Sequence, residues 1–404
     1  MKWLEFLKLV ITKKPTWAAK CPQWAWSLLC IVAVALFAFV LLPSGATPPD
    51  ELPTIFQDES GKAFATGWQQ DDEQSDAIAA SLEFPSFATT AAGQANDPLP
   101  DHVYQWEAYF ALFARPPPCK DQNPIGSCVG FGTTTGVERM QAVQIVAQNK
   151  PFEFKHLCEE FTYAGSRHEI GQDRIKGDGS NGGWAAEWVK KGGMIPREVV
   201  GKYDLTKYDP ERCRAWGRTG APDDLEPIAR EHIVGDITRV ETWTQAKKCL
   251  ASGYGISMCS DVGFNKPGTR WGYVDPATRD SRGICNANGQ WNHCMILDGY
   301  HVDVDGNEYG HVENSWGPQA HAGPVGWGNP TTAGFWTSAE TIQRMLSKRD
   351  SWAFSDLRGF PARKVDWRVM GEISRSYAAR PMPKDVLSGV LPRLLNRPME
   401  ISKW

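Results

Sequence analysis

Asp121–Phe131 reads DQNPIGSCVGF and runs on as GTTTGVERMQAVQIVAQ to Gln148. The turn residues Pro124 and Gly126 lead straight into Cys128. Val137, Met140, Val143, Ile145 and Val146 then recur at the spacing of a helix with an apolar face. A cysteine that opens a helix has unpaired backbone N–H groups and the positive dipole end beside it. Both favour thiolate, so the pattern predicts a lowered Cys128 pKa and a nucleophilic sulfur. Gln122, six residues earlier, is predicted to aim its amide NH2 at an oxyanion that develops next to that sulfur.

A thiolate nucleophile needs a base. Of the eight histidines, His293 stands at the head of a short apolar run, WNHCMILDGY over 291–300, which is bounded by glycine and predicts a buried strand. His301 and His311 are rivals by proximity, and His156 and His168 flank a helical stretch and are expected at the surface. The next motif is HVENSWG over 311–317. An asparagine accepts an imidazole N–H and so selects the tautomer that points at sulfur, which is the role predicted for Asn314, with Trp316 shielding the bond. Asp303–Glu308 (DVDGNE) reads as a hairpin turn centred on Asp-Gly, which puts His293 and Asn314 on neighbouring strands. The same turn is no EF-hand, because its twelfth position is Asn314 rather than a bidentate Glu.

Taken together, these residues resemble the papain-like cysteine peptidases. Gln122 and Cys128 match that family's oxyanion glutamine and nucleophile, His293 its base, and Asn314-Ser315-Trp316-Gly317 its Asn-Ser-Trp-Gly signature. Asn181-Gly182-Gly183 resembles the glycine pair whose backbone binds extended substrates. The resemblance implies an α+β, two-lobed fold over 101–360, with a helical lobe over about 101–230 and a β-barrel-like lobe over about 231–360. It also implies a Cys128–His293–Asn314 thiolate mechanism acting on peptide or protein substrates, with no metal and no cofactor. The substrate-binding set it implies is Gly182, Gly183, Asn292, Cys294 and Trp316. A specificity wall including Ser257 or Met258, Asn292 and Cys294 would be small and uncharged and would favour apolar side chains. The sequence departs from the family at Val129, where an aromatic is usual, and at Ile125 and Ser180, where a disulfide usually joins two cysteines.

Outward from this body the composition changes. Trp24–Leu42 (WAWSLLCIVAVALFAFVLL) carries no charge, and at nineteen residues it spans roughly 28 Å, about one bilayer core. Lys2, Lys8, Lys13, Lys14 and Lys20 precede it against only Glu5. The reading is a single-pass transmembrane helix, with 1–23 cytoplasmic and the remainder outside the cytoplasm. A signal peptide cleaved near Ser44–Ala46 is the alternative. From Ser44 to Phe110 there are twelve Asp or Glu and one basic residue, Lys62. No long amphipathic helix marks an inhibitory propeptide there, so 43–100 reads as an acidic, disordered linker. Residues 361–404 hold nine basic and four acidic residues and read as a basic tail.

The whole chain has 404 residues and a formal net charge of −4, which excludes nucleic acid as the main partner; oligomeric state is not legible. The functional expectation is a membrane-anchored cysteine peptidase. Its alternatives are an inert protein of the same fold in a membrane or phage-like assembly, and an amide hydrolase acting on cell-wall peptides.

Overall fold

A near-continuous apolar run around His293 makes Gln290–Val302 a thirteen-residue strand, buried throughout His293–Tyr300. Such a run is what a strand covered on both faces requires. The computed structural model describes residues 55–57, 63–148, 154–265, 279–318, 324, 327–328, 332–368 and 370–371, all within one compact unit, Leu52–Trp404. The transmembrane segment expected over 24–42 and most of the basic tail lie outside the described residues. Among the described residues, no helix is long and apolar enough to cross a membrane.

In chain order the strands that matter are β1 (Ile55–Gln57), β2 (Ala63–Ala65), β3 (His102–Tyr104), β4 (Asp236–Arg239), β5 (Gly255–Val262), β6 (Gln290–Val302), β7 (Glu308–Glu313), β8 (Gly334–Ser338) and β9 (Ser351–Ser355). The α-helices of seven residues or more are α1 (Asp72–Ser81), α2 (Trp106–Phe113), α3 (Cys128–Gln148), α4 (Glu159–Gly165), α5 (Gly182–Lys191), α6 (Pro210–Thr219), α7 (Trp243–Ala251) and α8 (Ala339–Leu346). One antiparallel, seven-stranded sheet runs β8-β7-β6-β5-β9-β4, with β3 also paired to β6. Helices dominate 106–219 and strands dominate 236–355.

Helix α3 joins two cores. Val137 and Met140 pack with Phe161, Trp184, Trp188 and Trp352, whereas Ala142, Val143 and Val146 pack with Tyr254, Met295, Leu297 and Val312. Between the two, Arg139 reaches from α3 to Asp298 on β6 (3.0 Å) and to Glu313 on β7. His311 Nδ1 lies 2.6 Å from the other oxygen of Asp298. All four side chains are buried, so this ionic cluster locks the helix that begins at Cys128 to the strands that bear His293 and precede Asn314.

The acidic stretch departs from the linker reading. Residues 63–100 are folded onto the body, with Phe64, Trp68, Ile78, Phe87 and Ala92 buried. The reason is partnering at long range. Asp76 pairs with Arg239 and Arg349, Glu83 with Arg358, and Asp97 with Lys364, so the acidic excess is matched across the surface instead of repelling itself. Asp71 caps α1 by accepting from the N–H of Gln74 (3.0 Å). The folded body also extends past 360, where Trp367 and Met370 enter the core.

Candidate active site

Cys128 begins α3, β6 supplies His293, and Asn314 directly follows β7. The β6–β7 hairpin sets their register, because Ile296 pairs with Glu313 one step before Asn314. His293 Nε2–H donates to Asn314 Oδ1 at 2.7 Å, which leaves Nδ1 as the unprotonated nitrogen. That Nδ1 is buried and has no hydrogen-bond partner. Trp316 lies over the imidazole with ring centroids 4.5 Å apart, which shields the bond to Asn314 from water. The Cys128 sulfur faces the backbone N–H of Cys294, the residue after His293, and that of Val129. The rivals are engaged elsewhere. His311 belongs to the buried cluster with Asp298, and His301 stacks on Trp327 at 3.9 Å.

Gln122 is held against the Asn-Ser-Trp segment. Its N–H donates to the Ser315 carbonyl (2.8 Å), Ser315 Oγ–H donates to Gln122 Oε1 (2.6 Å), and Gly317 N–H donates to the Lys120 carbonyl (2.8 Å). The Gln122 amide NH2 donates to the carbonyls of Ile125 (2.7 Å) and Ala65 (2.9 Å). Trp316 Nε1–H donates to the same Ala65 oxygen at 3.1 Å.

Ala65 belongs to the stretch expected to be a linker, and residues 65–69 run through the cleft. Gly67 and Trp68 N–H both donate to the Asn292 carbonyl (3.1 and 3.0 Å) on one wall. On the other wall, Gln69 N–H donates to the Ser180 carbonyl (2.9 Å), and Ser180 N–H donates to the Gly67 carbonyl (2.8 Å). Trp68 and Ser180 thus form a parallel bridge. Position 67 has to be glycine, because a Cβ there would stand 2.1 Å from the carbonyl oxygen of Gly126, two residues before Cys128. Cys128 is completely buried beneath this cover.

The cover reverses one electrostatic expectation. Burial pushes the Cys128 thiol well above its ordinary value, and the neighbouring Cys294 thiol adds to the rise; backbone N–H groups of Cys294, Val129 and Gly67 offset only part of it. Burial likewise holds His293 down at about 4, against a smaller opposing effect of its bond to Asn314. The covered site therefore holds a neutral thiol and a neutral imidazole. The helix start favours thiolate only where solvent reaches the sulfur.

In the covered cleft the strand-like pairing with residues 67–69 is made by Ser180, and Gly182 and Gly183 are engaged elsewhere. Asn181 caps α5 by accepting from Gly183 N–H, and both glycine N–H groups are turned to the Asp350 carboxylate (2.7 and 2.8 Å). Cys259, directly opposite Cys294 across β5–β6, packs on Trp68 together with Cys294, whereas Met258 enters the main core. Of the expected wall, Cys294 and Asn292 meet the cover, Cys259 stands where Met258 was expected, and Asp350 adds a carboxyl group. Trp68, Ser180, Cys259 and Asp350 escaped sequence reading. The one available signal was a Gly-Trp pair set in an otherwise polar, acidic stretch. All eight described cysteines are free thiols.

No family model matches the chain. It is similar to the probable cysteine protease RDL3 of Arabidopsis thaliana, with 26% identity over 225 residues, which cover 55% of this chain and 51% of that protein. The chain thus spans about half the length of that curated relative. Among solved structures it is similar to xylellain, a cysteine protease from Xylella fastidiosa (18% identity, TM-score 0.45, 72% of this chain and 96% of that one). It is also similar to digestive procathepsin L 3 of the Tenebrio molitor larval midgut (14% identity, TM-score 0.39, 88% and 98%).

Proposed function

We propose that this chain is a papain-like cysteine peptidase whose cleft is closed by its own residues 65–69. The observation that carries the reading is the His293 imidazole. Asn314 pins one nitrogen at 2.7 Å, and the other is buried and unpartnered, on the residue before Cys294, whose backbone N–H faces the Cys128 sulfur. Once the cover leaves, Cys128 S–H passes its proton to His293 Nδ1, and the sulfur attacks a peptide carbonyl carbon. Gln122 and the Cys128 backbone N–H stabilise the oxyanion. The present double donation from Gln122 and Trp316 to the Ala65 oxygen supports a carbonyl-binding role for these groups. His293 then protonates the leaving amine, and water hydrolyses the thioester to return the thiol. Residues 24–42 anchor the chain in a bilayer, with the peptidase body outside the cytoplasm. Their uncharged run and the lysines before it support this topology.

The test uses the full chain with Trp68→Ala, which empties the pocket that anchors the cover. It is expected to hydrolyse a mixture of extended peptides, and adding Cys128→Ala is expected to abolish turnover. Hydrolysis retained without Cys128 sinks the assignment. No turnover, with a Cys128 that reacts with an alkylating probe no faster than the other thiols, establishes the inert binding protein instead.

A further inference from the structure

Trp68 fills a pocket in the apolar cluster that it forms with Cys128, Val129, Ala185, Cys259 and Cys294. Its floor is charged. Trp68 Nε1–H donates to Asp350 Oδ2 at 2.7 Å, and both side chains are buried. Asp350 accepts from five donors in all. Oδ1 takes Ser75 Oγ–H (2.9 Å), Gly183 N–H (2.8 Å) and Trp352 Nε1–H (2.8 Å), and Oδ2 takes Trp68 and Gly182 N–H (2.7 Å). The backbone crowds the carboxylate so closely that a Cβ on Gly182 would meet Asp350 Cγ at 2.9 Å.

These donors fall into two groups. Gly182, Gly183 and Trp352 belong to the body and stay. Ser75 sits on α1, whose Ile78 packs in the helical core, and stays with it, whereas Trp68 belongs to the 65–69 cover, and its departure vacates one hydrogen-bonding position on Oδ2 at the bottom of the apolar pocket. A buried carboxylate left short of donors is costly, and the next occupant of the pocket determines whether that cost remains. An apolar side chain fills the space and leaves Oδ2 short. An indole repeats what Trp68 does now.

We infer that Asp350 is a specificity determinant of this cleft, selecting substrates that place a tryptophan side chain in the pocket now filled by Trp68. The inference rests on the peptidase reading above. The selected residue is the one that pairs with Ser180 as Trp68 does, through the N–H groups and carbonyls on either side of it. A site built around a hydrogen bond discriminates against an analogue lacking the donor more strongly than an apolar pocket discriminates by size.

The full chain with Trp68→Ala is assayed on peptides identical except at the selected position. That position carries tryptophan, phenylalanine, leucine, arginine or 3-benzothienylalanine, the last keeping the bicyclic shape but replacing the N–H with sulfur. The tryptophan peptide is expected to lead in kcat/KM, by at least about tenfold over the benzothienyl peptide, as befits a hydrogen bond to a charged acceptor. Asp350→Asn is expected to narrow that ratio. The peptide arm stands by itself if Asp350→Asn does not fold. Benzothienylalanine within twofold of tryptophan, or phenylalanine, leucine or arginine ahead of it, overturns the inference and leaves the peptidase reading intact. No hydrolysis of any peptide, together with an unreactive Cys128, overturns both.

Discussion

Replacing Gly67 by alanine is predicted to uncover Cys128. A Cβ at position 67 would lie 2.1 Å from the Gly126 carbonyl oxygen, 2.4 Å from its carbon and 2.6 Å from its Cα. All three are backbone atoms in the turn that leads into α3, so no side chain can swing aside. Gly67 is not among the glycines at positive φ, and alanine is therefore compatible with its backbone conformation. The effect is steric, and it falls on the contact between cover and body. Overpacking of this kind costs about 1–3 kcal/mol. At about 1.4 kcal/mol per factor of ten, the uncovered population rises roughly 5- to 150-fold. The assay is a pulse of iodoacetamide on the folded, full-length chain, read by mass spectrometry at each cysteine. When opening is fast relative to alkylation, the rate at Cys128 scales with the open population. Cys249, buried in the main core, is the internal control. A Cys128 rate within twofold of the parent refutes the steric argument. A parallel rise at Cys249 means that the whole body has loosened, and refutes it equally.

Acid is expected to open the cleft. Burial holds His293 at about 4, against an ordinary value of 6.5, so an uncovered imidazole binds its proton more readily than the covered one. The advantage of the covered state is full above about pH 6.5 and is lost as the pH falls toward 4, in total of order 3 kcal/mol. Reaction with 2,2′-dithiodipyridine, which attacks thiols in acid, should therefore speed up at Cys128 relative to Cys249 between about pH 7 and 4.5. A flat ratio contradicts it. Arg139→Met leaves Asp298 and Glu313 buried without their cation and should cost about 3–5 kcal/mol in a urea melt, because breaking one member out of a buried ionic cluster strands the others. A loss under about 1 kcal/mol would show that the cluster does not bind α3 to the sheet.

The contrast between what sequence revealed and what it hid has one physical origin. The places of Cys128, His293 and Asn314 in the fold were legible because each is announced by neighbours within a few residues: turn residues before a helix, polar residues before an apolar strand, and a hairpin turn that sets two strands in register. The folded stretch 63–100, cover included, was hidden because its stability is made almost wholly at long range. Phe64 and Trp68 are single aromatics in a polar stretch, and the arginines and the lysine that neutralise its acids stand at 239, 349, 358 and 364. Read locally, such a segment has too little apolar surface and too much charge to fold. Asp350 was hidden for the same reason, since its five donors come from residues 68, 75, 182, 183 and 352. Asn181-Gly182-Gly183 has two possible uses for the same N–H groups, and in the covered cleft a distant carboxylate takes them. That substitution has a consequence. By drawing the glycine N–H groups down to Asp350, the fold hands the pairing edge to Ser180 and places a charged acceptor beneath the pocket. The departure from the expected backbone contacts and the charged floor of the cleft thus have one cause.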